Sequence, residues 1–123
     1  MAIEWVAHAS VLAMHKRQIA EHGGTNGLRN EGLLYSALAR PENLEAYGEN
    51  VDLAALAASY AFGVAKNHPF LDGNKRTALV VAITFLNLNR YDFDAAGEET
   101  YTMFLGLAEG SVSEKELAAW FRD

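Results

Sequence analysis

Residues 53–67, LAALAASYAFGVAKN, and residues 78–88, ALVVAITFLNL, decide how this chain folds. The first stretch is rich in alanine and apolar nearly all round. The second is apolar on every face, and at eleven residues it is too short to cross a bilayer. Helical stretches with no polar face belong inside a bundle. Asp52 is placed to cap a helix over 53–67. A fourth helix over 74–89, carrying the 78–88 run, is expected to be the central, buried one. Between the two lies a short polar loop.

The rest of the chain also reads as helix. Val11, Leu12, His15 and Ile19 make one stripe of a first helix over 7–21, which Gly23 and Gly24 stop. After a loop over 23–30 with three glycines, Asn30 can cap a second helix over 31–40, and Pro41 should end it. Residues 41–50 look polar and irregular, as a plain connection. Residues 91–93 are at most a short extended stretch. A fifth helix covers 98–108 and a sixth 114–122, the latter opened by Ser113 and Glu116 as a capping box. His8, His15 and His22 recur every seven residues, about 10.5 Å apart along a helix. That is too far to share one metal ion, so they read as partly exposed helix residues. Trp5, Trp120 and Phe121 read as packing residues. The expected fold is all-α, a compact helical bundle of about six helices forming a single domain over 1–123.

Composition narrows the function. The chain has 123 residues, 10 basic against 16 acidic side chains, a net charge of −6 and no cysteine. Disulfides, thiol catalysis, zinc fingers and iron–sulfur clusters are excluded. The acidity argues against direct nucleic-acid binding but leaves room for a local basic patch. The N-terminus makes a poor signal peptide. No transmembrane segment is expected, and a cysteine-free domain of this kind suits the cytoplasm.

The polar loop, Lys66-Asn-His-Pro-Phe-Leu-Asp-Gly-Asn-Lys-Arg-Thr77, holds most of the chemistry. Pro69 disfavours helix at His68 and should leave that imidazole exposed at a fixed place. Phe70 offers an apolar anchor, and Gly73 allows close approach of backbone to a ligand. Asn74, Lys75 and Arg76 fall in the first turn of the next helix, where free N–H groups and the dipole favour an anion. Two cations there oppose the dipole, so an anionic partner explains them. Asp72 could hold Mg²⁺ against phosphate oxygens, and His68 could take a proton from a hydroxyl. These parts together suggest phosphoryl or nucleotidyl transfer.

The run His68-Pro-Phe-Leu-Asp-Gly-Asn-Lys-Arg76 resembles the signature loop of the Fic/Doc family, H-x-F-x-[DE]-[GA]-N-[GK]-R, at all seven fixed positions. The upstream run over 27–41 is similar to the early region of the family's death-on-curing branch, and the small size agrees. The resemblance implies a Fic fold. It implies that His68 is the general base, Asp72 the Mg²⁺-binding acid, Phe70 the loop anchor, and Gly73, Asn74, Lys75 and Arg76 the phosphate-binding nest. It further implies ATP and Mg²⁺ as cofactors, and it offers a target-docking flap over the site as the alternative to a plain connection at 41–50. Members with glycine at the Lys75 position generally transfer AMP, whereas death-on-curing members carry lysine there and transfer the γ-phosphate of ATP to a hydroxyl of elongation factor Tu. A long cation occupying the α-phosphate's place makes this intelligible.

Two departures keep alternatives open. Leu79 stands where many AMP-transferring members have a second arginine, which favours the kinase. Gly73 stands where death-on-curing loops often have alanine, which favours AMP transfer. The family's inhibitory pattern, [ST]-x-x-x-E-[GN], is absent: Glu31, Glu42, Glu49 and Glu109 precede Gly or Asn, but none follows Ser or Thr by four residues. Resemblance thus implies a toxin of a toxin–antitoxin module, restrained in trans by a Phd-like antitoxin. AMP transferase, or a catalytically weak corepressor that binds the antitoxin, are the other readings.

Overall fold

The computed structural model describes residues 2–93 and 97–123. Those residues form six α-helices and no strand: α1 (His8–His22), α2 (Glu31–Tyr47), α3 (Leu53–Asn67), α4 (Asn74–Leu88), α5 (Glu98–Glu109) and α6 (Glu114–Arg122). Local signals set most of the ends. The Asn30 side chain accepts from Leu33 N at 3.0 Å, and Asp52 accepts from Ala55 N at 2.9 Å. Ser113 and Glu116 exchange both bonds of a capping box, at 3.0 and 3.1 Å. Each of these bonds satisfies a backbone donor that the first turn of a helix leaves free.

The central helix is α3, not α4 as the hydropathy of 78–88 suggested. It packs against α2, α4, α5 and α6, whereas α4 meets α1, α3 and α5 and leaves Leu88 about half exposed. Small side chains are the reason. Ala54, Ala57, Ala58, Ala61, Gly63 and Ala65 are all buried, and they let neighbouring backbones approach on several sides. At Gly63 a Cβ would sit 3.1 Å from the Cα, Cβ and carbonyl oxygen of Ala37, so α2 lies directly on the α3 backbone.

Pro41 does not end α2. The helix runs on to Tyr47 with Pro41 buried inside it, although an interior proline costs about 3 kcal/mol. Tertiary contacts on both sides of the ring outweigh that cost. Arg40 donates to Ser59 O at 3.2 Å and to Glu114 Oε1 at 2.8 Å, with its guanidinium 4.7 Å from the centre of the Phe62 ring. One turn later, Leu44 packs against the core. Much of the 41–50 segment is therefore helical, and none of it lines the cleft described below.

One cluster of buried apolar side chains runs through all six helices, from Val11 on α1 to Phe121 on α6. Phe121 is met edge-on by Phe93 and Phe104, with ring centres 5.1 and 6.2 Å apart. Trp5 stacks on Phe85 at 5.8 Å. Outside the core, Arg122 of α6 binds both carboxylate oxygens of Asp52 at 2.6 and 2.9 Å, tying the last helix to the cap of α3.

Candidate active site

The loop over 68–73 joins α3 to α4 and turns sharply at both ends. His68 caps the C-terminus of α3 in the left-handed conformation, φ 53° and ψ 55°. Pro69 follows, and the α region is disfavoured before a proline. The turn therefore leaves the helix at His68 and puts its imidazole on the exposed surface. Gly73, also left-handed at φ 75°, starts α4. A Cβ there would lie 3.1 Å from Ile19 Cδ1, so glycine meets both the backbone and the space requirement.

Between these turns the loop is anchored inward. Phe70 is buried and its ring lies flat on that of His15, with centres 3.7 Å apart and planes 5° apart. The Asn74 side chain is also buried. It accepts from Phe70 N and donates to Phe70 O, each at 3.0 Å. Its amide is thus spent on closing the loop, and only its backbone N–H is left to meet a ligand at the helix start. The loop over 23–30 clasps the outer edge: Leu28 bridges Phe70, Leu71 N donates to Gly27 O at 3.0 Å, and Arg29 N donates to Pro69 O at 2.7 Å.

What remains outward is a cleft of about 390 Å³, lined by Ala65, His68, Asp72, Gly73, Asn74, Lys75, Arg76, Tyr101, Ala108 and Glu109. Every polar residue singled out in 68–76 therefore borders one space. None of His68, Lys75 and Arg76 forms an ion pair among the described residues. Two cations without an ion-pair partner thus border the same cleft as the start of α4, where helix N–H groups are free, a combination that draws anions. Lys66 does not join them; its ammonium lies beside Gly110 at the end of α5. A larger cleft of about 650 Å³ lies at the other end of the bundle, against Ile3, Leu53, Leu56 and Leu88. Its walls are mostly apolar and it holds none of the loop chemistry.

Asp72 does not cap α4. Its Oδ1 accepts from Gly73 N at 3.0 Å and its Oδ2 from Thr25 N at 3.2 Å. Among the described residues no cluster of three or more His, Cys, Asp or Glu could enclose a metal ion. A single exposed carboxylate beside a phosphate-type nest fits Mg²⁺, which keeps most of its waters and takes one or two carboxylates together with phosphate oxygens.

Four site residues escaped sequence reasoning. Tyr101 and Glu109 come from α5, far along the chain, and no local pattern announces them. Thr25 contributes only a backbone N–H. His15 belongs to the seven-residue series read as partly exposed, yet it is buried, 3 % exposed, while His8 stacks on Tyr35 and His22 stays exposed. Its place on the apolar stripe with Val11 and Ile19 was the available signal.

The model of the Fic/DOC family matches residues 5–86, a span that contains the whole loop. The chain is 32 % identical over 118 residues to a protein named "Protein kinase doc" from Escherichia phage P1, a match spanning 95 % of this chain and 92 % of that one. It is 42 % identical over 71 residues to "Toxin Doc" of Mycolicibacterium smegmatis, covering 54 % of this chain and 52 % of that protein. With its helical architecture and its signature loop folded around a single cleft, the chain belongs to the Fic/DOC family.

Proposed function

We propose that this protein is a Doc-type toxin that transfers the γ-phosphate of ATP to a hydroxyl side chain of a protein target, with translation elongation factor Tu as the target and arrest of translation as the result. The observation that carries the reading is the convergence of His68, Asp72, Lys75 and Arg76 on one cleft at the start of α4. The relatives named as a kinase and as a toxin support it. No helix among the described residues is long and apolar enough to cross a membrane, in keeping with action in the cytoplasm.

In this reading the free backbone N–H groups of residues 74–76, which Gly73 lets a ligand approach, bind the phosphates of ATP together with the side chains of Lys75 and Arg76. Magnesium, held by Asp72 together with phosphate oxygens, would neutralise charge on the transferred group. His68 stands exposed across the cleft, rigidly placed by its position at the end of α3, and accepts the proton of the target hydroxyl. That oxygen attacks the γ-phosphorus, the bond from phosphorus to the bridging oxygen breaks, and ADP leaves. Tyr101 forms the aromatic wall against which a nucleobase can lie.

The test uses ATP labelled at the α- or the γ-phosphate with purified elongation factor Tu. Target labelled from the γ-position alone is expected, and His68→Ala should abolish it. Label from the α-position would replace the reading with AMP transfer, which glycine at position 73 favours. Wild type and His68→Ala equally harmless on induction would favour a corepressor role. With no inhibitory pattern in the chain, restraint falls to a Phd-like antitoxin acting in trans.

A further inference from the structure

We infer that α1 and the turn after it position Asp72, with His15 as the principal positioning residue. The inference rests on the reading of Asp72 as the acid that faces the nucleotide. Asp72 is gripped at three points. His15 Nε2 lies 2.8 Å from its main-chain oxygen, Thr25 N–H donates to Oδ2 at 3.2 Å, and Gly73 N–H donates to Oδ1 at 3.0 Å. A carbonyl oxygen only accepts, so Nε2 carries the hydrogen and the tautomer is set. The His15 ring is in turn locked against Phe70, the buried anchor of the same loop.

The turn after α1 leaves no spare room. Gly24 sits at φ 117°, and a Cβ on it would lie 2.8 Å from Asp72 Oδ2 and 3.1 Å from Cγ. Any side chain there would push the carboxylate away. The two glycines that end α1 therefore do more than stop a helix: the second makes the space Asp72 occupies. An ionised carboxylate has about four lone-pair sites. Two N–H groups take two of them and orient the rest, which is the supporting role that groups behind a metal ligand perform.

The test uses the full chain with His15→Phe, which keeps a flat ring against Phe70 but loses the donor. It is compared with His15→Gln, whose amide nitrogen lies the same number of bonds from Cβ as Nε2. Amide hydrogen exchange in the free protein is expected to accelerate about ten-fold at Gly73 and Thr25 in His15→Phe, with α3 and α6 unchanged, and to return towards wild type in His15→Gln. Magnesium-dependent tightening of a non-hydrolysable ATP analogue should fall by about the same factor, and kcat should fall with KM for the target unchanged. Wild-type exchange at Gly73 and Thr25 in His15→Phe would overturn the inference. So would equal damage from Phe and Gln, which would assign His15 to packing alone. If His15→Phe unfolds, Gly24→Ala in the exposed turn carries the same measurements; unaltered magnesium dependence there would be equally fatal. A wild-type chain with no magnesium-dependent nucleotide binding would sink the phosphoryl-transfer reading, while the exchange rates would still decide the role of His15.

Discussion

The guanidinium of Arg29 donates from Nε to the carbonyl of His68 at 2.7 Å and from Nη2 to that of Asn67 at 2.8 Å. These carbonyls belong to the end of α3, where the helix leaves acceptors free and His68 takes up left-handed backbone. A non-glycine residue held there costs on the order of 1–3 kcal/mol and persists only where its surroundings impose it. Arg29 is one such imposition, reaching from the α1–α2 loop to the residue proposed as the base. Arg29→Met should lower stability by about 1–2 kcal/mol, the lower part of the range for hydrogen bonds to a charged group because the site is exposed. It should also reduce transfer more than the lost stability explains. Urea unfolding beside a kinetic assay measures both.

Among the described residues, Tyr101 is the one Phe, Tyr or Trp bordering the site cleft, and it is 60 % exposed. An exposed ring facing a phosphate-type nest suits a nucleobase. Tyr101→Ala should weaken ATP binding about five-fold, corresponding to roughly 1 kcal/mol of lost stacking. The fold should hold, since the side chain packs little of the core. Calorimetric titration with an ATP analogue gives the affinity, and an unchanged Kd would remove Tyr101 from the nucleotide site.

Gly63 lies in the interior of α3, where glycine is ordinarily a weakness. Here a Cβ would stand 3.1 Å from backbone atoms of Ala37, and backbone on a neighbouring helix cannot turn aside as a side chain can. Gly63→Ala should therefore destabilise by about 1–3 kcal/mol despite its better helix propensity. Thermal unfolding decides the sign.

Tyr60 connects the N-terminal segment to the core, its hydroxyl oxygen accepting from Val6 N at 3.1 Å. Burial disfavours the phenolate and pushes the group up to about 12 from an ordinary value of 10. The stability tied to the neutral phenol is complete below about pH 10, where the unfolded chain keeps its proton too. It is lost as the pH rises towards about 12, on the order of 2 kcal/mol. Tyr60→Phe should remove that step. It should also cost about 1 kcal/mol at neutral pH, because the Val6 N–H loses its acceptor. Unfolding curves between pH 8 and 12, with phenolate absorbance as the monitor, separate the two effects.

Local chemistry made much of this protein legible without coordinates. Asn30, Asp52 and Ser113 each satisfy donors within their own first turn, so the starts of α2, α3 and α6 follow from short-range sequence. The loop over 68–76 was legible for the same reason: proline, glycine and charged residues crowd between two apolar helices, and the polar ones singled out there all border one cleft. Tertiary structure decided the rest, because it depends on contacts between residues far apart in the chain. Arg40 and Leu44 hold α2 together across Pro41, which propensity alone would break. Alanines and Gly63 put α3, not the more hydrophobic α4, at the centre, because close approach depends on side-chain size. Asn74 turned inward to close the loop, while His15, Thr25 and Tyr101 came to the site from α1, its following turn and α5. The chain thus names its candidate reactive groups in one short run, and the packing of distant helices decides where each of them is held.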